Sequence, residues 1–275
     1  MNQISDYNQV LDAVKSVKEL RIGFETNLFL DKERINIWIN KGVLFIGYHE
    51  SSIYFLKQND NFFNLYYITT DSSSISGLLK HILLVHSDKL IVTDLIGKEP
   101  FINNIHQLFS KEGFYQYTSL QRMSRLLQEK YLDEASTNVC LPSFENSSEI
   151  FRILQTYFDP LAEQLPYIEE IEKWVENGSV RVVKDGNKII GFVIFEINGL
   201  TSYLRYWFVH PDYRNRNVGS DLLRSYFKAS NNTKRQLFWV IKTNQNAIIR
   251  YLHYGFETEN LLDYVMINKN MSYEK

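Results

Sequence analysis

Two Gly-Phe pairs fix the frame of this chain. Gly113-Phe114 and Gly255-Phe256 lie 142 positions apart, and the same offset sets Gly77 on Gly219 with no gap. The surroundings agree. Residues 63–69 read as a strand, 71–76 as a loop, 78–85 as a helix, 89–95 as a strand, 103–111 as a helix and 115–123 as a last strand. The second half runs in the same order from 203 to 267. Two repeats of domain size imply duplication and two similar folds, not a solenoid, whose period would be far shorter.

Each half also opens alike. Val10, Leu11, Val14 and Val17 stand at helical spacing, as do Ile150, Ile153, Leu154 and Tyr157. Residues 165–177 predict a helix and 179–184 a strand. Asp185-Gly186-Asn187 is a hairpin signal, and 188–197 is the returning strand. Successive hairpins mixed with helices argue an α+β fold, a mixed sheet with helices on its faces. The stretch 128–145 is polar, aperiodic and holds Pro142, so it reads as a linker with the first strand region of the next domain. Domains are therefore expected at 1–127 and 146–275.

Composition narrows the class. A chain of 275 residues with 44% hydrophobic side chains folds into one large or two ordinary globular domains. Thirty Lys and Arg against 32 Asp and Glu give a net charge of −2, so no global field recruits nucleic acid or an anionic membrane. The single cysteine, Cys140, excludes an intramolecular disulfide and a cysteine-based zinc cluster; no metal is expected, and a half-buried thiol near the domain junction is. The first residues lack the basic-then-apolar order of a signal peptide, and no apolar run approaches membrane-spanning length. The expected location is the cytoplasm.

The chemistry concentrates between residues 203 and 256. A strand at 203–209 leads through Pro211-Asp-Tyr213 into Arg214-Asn215-Arg216-Asn217-Val218-Gly219-Ser220, and an amphipathic helix follows from Asp221. Such a loop holds phosphate, because the first amides of a helix have no intrahelical partners and its dipole favours negative charge there. After a strand at 236–242 comes a second helix, 246–254.

This region resembles the GNAT superfamily of N-acetyltransferases, whose pyrophosphate loop reads Gln/Arg-x-x-Gly-x-Gly/Ala. Arg214-x-x-Asn217-x-Gly219 matches it, except that Asn217 replaces the first glycine; asparagine tolerates a left-handed backbone next best. Asn244, Ala247, Ile248, Tyr251, Gly255 and Phe256 match the family's Asn-x-x-Ala-Ile-x-x-Tyr-x-x-x-Gly-Phe. The resemblance implies two GNAT-like domains, each a mostly antiparallel sheet flanked by helices. It implies acetyl-CoA as co-substrate and a primary amine of a small molecule as acceptor. Backbone groups near Phe208 and Val209 would pair with the pantetheine arm, residues 214–220 and Asn244 would hold the cofactor, and Tyr251 would protonate the departing thiolate. Each assignment has a plainer counterpart: Asn244 as a helix cap, Tyr251 as a core side chain, the arginines as solvated loop. His210 reads as structural or solvent-exposed.

The general base is open. The family's glutamate position holds Tyr203, which leaves Glu196 across the Asn198-Gly199 hairpin, or ordered water. Simple strand alternation places Tyr203, Arg205, Trp207 and Val209 on one face, where Tyr203 and Arg205 would line an acceptor cleft; a cross-strand salt bridge is the other reading of Arg205. A longer acyl donor, a peptide acceptor and a non-catalytic CoA-binding scaffold also remain, and the oligomeric state is not encoded. At the 142-residue offset the first half carries Ser72, Ile75, Ile102 and Phe109 where the second has Arg214, Asn217, Asn244 and Tyr251. It is expected to keep the fold without the chemistry, and the alternative, an anion held by the amides of the serines at 72–74, stays open.

Overall fold

The computed structural model describes residues 1–127 and 138–269, so most of the linker lies outside them. The chain forms two compact units, Met1–Leu120 with Asn260–Lys275, and Gln121–Glu259. The first half contributes β1 (Asn2–Gln3), α1 (Tyr7–Glu19), β2 (Glu25–Thr26), α2 (Lys32–Asn40), β3 (Leu44–His49), β4 (Ser52–Gln58), β5 (Phe63–Thr69), α3 (Ser72–Val85), β6 (Ile91–Gly97), α4 (Phe101–Lys111) and β7 (Tyr115–Leu126). The second contributes β8 (Val139–Cys140), α5 (Ser147–Tyr157), α6 (Ile168–Glu176), β9 (Val180–Asp185), β10 (Lys188–Asn198), β11 (Thr201–Val209), α7 (Val218–Ala229), β12 (Arg235–Ile241), α8 (Gln245–His253) and β13 (Glu257–Ile267).

In the first unit β1, β3, β4 and β5 pair antiparallel in that order, and β6 joins β5 in parallel. The next strand of this unit comes from the far end of the chain: Leu262–Ile267 of β13 run antiparallel to β6, with Leu262 opposite Gly97 and Ile267 opposite Val92. Leu262 and Met266 are buried with Ile75, Leu79, Ile102 and Phe109 in one core. The second unit repeats the plan, with β8, β9, β10 and β11 antiparallel and β12 parallel to β11. Its neighbour to β12 is the end of β7. Met123 is fully buried in that unit's core, and Arg125 donates through Nε to Gln236 Oε1 at 2.5 Å while its guanidinium lies 3.6 Å from the Phe227 ring centre. Each half thus gives the end of its last strand to the other unit, which sequence order alone had kept at home.

Two cores flank the second sheet. Leu222, Leu223, Tyr226 and Phe227 of α7 cover one face, and Ile150 and Leu154 of α5 with Ile171 and Trp174 of α6 cover the other. Local signals explain the helices. Asp6, Asp31 and Asp71 each accept a first-turn amide, so α1, α2 and α3 start where an aspartate can cap them. Helix α3 consequently begins at Ser72, and the serines expected in a loop form its first turn. Cys140 is exposed rather than half-buried, because its two-residue strand lies at a sheet edge.

The β2 segment has no sequence signature. Glu25 and Thr26 pair antiparallel with Thr69 and Ile68 of β5. Asn27 follows, buried, and its Nδ2 donates to Leu65 O at 3.1 Å, Thr93 Oγ1 at 2.9 Å and Asp94 O at 3.2 Å, while Oδ1 accepts from Tyr67 N at 2.8 Å. One amide side chain therefore satisfies backbone groups on both β5 and β6. Asn27→Ala is expected to cost roughly 2–4 kcal/mol, since it orphans buried donors and acceptors. Chemical denaturation reads this as a lower midpoint; an unchanged midpoint would show that these bonds do not hold the unit.

Candidate active site

The second unit has an opening built into its sheet. β11 and β12 pair only at Thr201–Arg235, Ser202–Gln236 and Tyr203–Leu237. Beyond Tyr203, β11 keeps its ladder to β10 but not to β12, so residues 204–209 offer backbone groups along one side. A register shift sits in this stretch. Ile194 faces Tyr206 but Phe195 faces Leu204, which leaves Arg205 as the extra residue of a bulge. The bulge overturns the simple alternation expected for this strand. Tyr206 and Phe208 enter the α5–α6 core, while Leu204, Trp207 and Val209 pack on the α7 side.

The loop that follows has the expected shape. Asn217 takes φ +61° and ψ −1°, a left-handed conformation, and Asn215 takes φ +64°. Asn217 makes no side-chain cap on α7, so the amides of the first helical turn are not claimed by its carboxamide. Arg214 and Arg216 have no ion-pair partner among the described residues; Arg216 lies 5.1 Å from the ring of Tyr213, whose hydroxyl is tied to Asp185 at 2.7 Å. Gly219 sits in tight quarters: a Cβ there would come within 3.0 Å of Trp207 and 3.4 Å of Val209. Val218 is buried against the core, which sets the angle at which the helix leaves the loop. His210 is structural, capping the Pro211–Tyr213 turn through Asp212 N and lying 3.3 Å from the Tyr157 hydroxyl.

Tyr251 projects from α8 into an aromatic nest, 3.9 Å from Phe238, 5.4 Å from Trp207 and 5.9 Å from Phe256 between ring centres. Burial, and then the nearby charge of Glu163, push its phenol well above the ordinary tyrosine range. The hydroxyl therefore keeps its proton at any working pH. Asn244 caps α8, its Oδ1 accepting from Ala247 N at 3.2 Å. That fills the cap role.

The acidic candidate is otherwise engaged. Glu196 Oε1 accepts from Trp174 Nε1 at 2.8 Å and Oε2 from Arg205 Nε at 2.6 Å, so each oxygen already holds one donor. Arg205 forms the cross-strand salt bridge, and Tyr203 lies at the surface. Glu163, to which no motif pointed, is different. Burial raises its carboxyl to about 7, against the one amide bond that lowers it. Its sequence signal was faint: a lone carboxylate in the apolar turn Pro160-Leu-Ala-Glu163.

The first unit shows what the same positions become without the chemistry. There β5 and β6 also part early, after Phe63–Ile91 and Asn64–Val92, but β2 and Asn27 occupy the gap. At the helix start Asp71 Oδ1 accepts from Ser74 N at 2.9 Å and both oxygens take serine or threonine hydroxyls. Those bonds hold Asp71 at about 2, an ionised carboxylate where an anion would otherwise lie. Ser73 and Ser74 thus serve an internal cap at the place where the sequence left an anion site open.

A parted parallel strand pair, a left-handed loop at an open helix N-terminus and a buried tyrosine on the next helix define the class. Residues 147–256 match the model of the acetyltransferase (GNAT) family. Residues 147–256 are thus a GNAT-family domain, and the first half carries a GNAT-like fold. No curated protein matches by sequence. Among solved structures, the chain is similar to a GCN5-related N-acetyltransferase from Kribbella flavida, with 9% identity over 86% of this chain and 93% of that one and a TM-score of 0.58. A tandem GNAT protein from the clavulanic acid biosynthesis pathway aligns at 10% identity over 78% of each chain, TM-score 0.54. A GNAT-family acetyltransferase from Colwellia psychrerythraea covers 97% of each at 12% identity, TM-score 0.52. Among the described residues no helix is long and apolar enough to cross a membrane, and no cluster of His, Cys, Asp or Glu is placed to hold a metal ion.

Proposed function

We propose that the C-terminal half transfers an acetyl group from acetyl-CoA to a primary amine of a small molecule, directly and without a covalent enzyme intermediate. The observation that carries this is the open edge of β11 from 204 to 209, which the left-handed Asn217 loop and then the Tyr251 helix follow in the chain. Acetyl-CoA brings an activated thioester, so the protein's task is chiefly to orient it. Amides of 218–220 with Arg214 and Arg216 suit the diphosphate, the exposed backbone near Phe208 and Val209 suits the pantetheine amides, and Asn244 would add a contact from the start of α8. Tyr251 keeps a proton that can pass to the departing sulfur. Thiol release from acetyl-CoA with a mixed panel of primary amines tests the reading. Steady turnover supports it, and no release with any amine removes it.

The same reading makes the first half a non-catalytic partner. Its gap is filled by residues 25–27 and its helix start by Asp71. Calorimetry on the full chain is expected to count one CoA per chain. A stoichiometry near two would overturn this assignment.

A further inference from the structure

We propose that Glu163 is the general base that takes the proton from the acceptor ammonium, an inference that rests on the transferase reading above. The connection between α5 and α6 is held against the open part of β11 by its own chemistry. Tyr206, three residues past the last β11–β12 pair, donates through its hydroxyl to both Glu163 O and Gln164 O at 3.1 Å. Gln164 is held at φ +42°, a left-handed strain that a non-glycine residue adopts only when its surroundings impose it. Leu161 and Ala162 are buried beneath, and Asp159 closes the turn by accepting from Leu161 N at 2.9 Å. The result is a rigid turn that presents one carboxylate.

That carboxylate is half committed. Glu163 Oε2 accepts from Asp159 N at 2.8 Å, while Oε1 has no hydrogen-bond partner and the group pairs with no cation among the described residues. Its charge is felt by the Tyr251 phenol, which places it within electrostatic reach of the proton donor. Burial raises both groups, which brings the carboxyl near neutrality and leaves the phenol protonated. A carboxyl raised to about 7 is ionised in roughly half the molecules at neutral pH and basic enough to accept a proton from an ammonium.

The ammonium gives one proton to Glu163, and the nitrogen lone pair forms the N–C bond as the C–S bond breaks. The Tyr251 proton goes to sulfur, and the second proton lost by nitrogen restores the phenol. The net proton leaves from Glu163. Glu196 does not compete for this role, with both oxygens bonded to Trp174 and Arg205.

The test uses the full chain, Glu163→Gln, and two kinds of amine. With alkyl amines, kcat/KM of the parent is expected to rise with pH through about 7, because only ionised Glu163 accepts a proton. Glu163→Gln should lower it about 10²-fold and erase that limb. Hydroxylamine, already neutral at pH 7, should lose far less, and CoA affinity by calorimetry should not change. A retained limb in Glu163→Gln, or equal losses with both kinds of amine, would overturn the role of Glu163 while leaving the transferase reading intact. Absence of turnover in the parent with every amine would overturn both.

Discussion

Tyr251→Phe is expected to lower turnover about 10²–10³-fold while leaving fold and CoA affinity in place. The ring does the packing, against Phe238, Trp207 and Phe256, and phenylalanine preserves all three contacts. What goes is the proton. A phenol raised by burial never ionises in the working range, so its loss removes a donor and not a charge. Single-turnover kinetics with the alkyl amine that turns over fastest would isolate the step. An unchanged rate would make Tyr251 a core residue only, and sulfur would then take its proton from water.

Gly219→Glu is expected to abolish CoA binding. The added Cβ would stand 3.0 Å from Trp207 and 3.4 Å from Val209, so the ring must give by a few tenths of an ångström even before the longer side chain is placed. The carboxylate would then lie beside amides suited to a diphosphate, adding repulsion to displacement. Calorimetry should show no heat with CoA, and a retained cooperative unfolding transition would show that the domain survives. Asn217→Val gives a second view, because a β-branched residue at φ +61° costs about 1–2 kcal/mol of local strain without adding charge. Unaltered affinity in both variants would remove the loop from the binding site.

Much of this was legible in the sequence because each signal was local. Asn217 could be assigned a left-handed backbone from its residue type and the spacing to Gly219, and it has one. The positive φ of Gly113 and Gly255, +88° and +77°, underlies the Gly-Phe pairs that revealed the repeat. What sequence did not disclose depends on pairing between distant segments. Nothing in Phe24-Glu-Thr-Asn27 announces a strand, because two residues and one amide act through partners about 40 and 66 positions away. The bulge at Arg205 leaves no mark in residue type yet moves Tyr206 to the opposite face from Leu204. Glu163 was invisible for a related reason: a carboxyl acquires its acidity from what surrounds it, and here that is supplied by a turn with no repeating pattern.

The borrowed strand ends bear on how the protein is made. A ribosome that has released residues 1–120 has supplied most of the first unit but not the strand that covers β6, which arrives only with residues 262–267. Until then one edge of β6 is unpaired, and open strand edges are where nascent chains associate wrongly. The second unit, complete by residue 259, has all of its chain first. Synthesis therefore reverses the usual order, and of the two halves the one made first is the last to be finished.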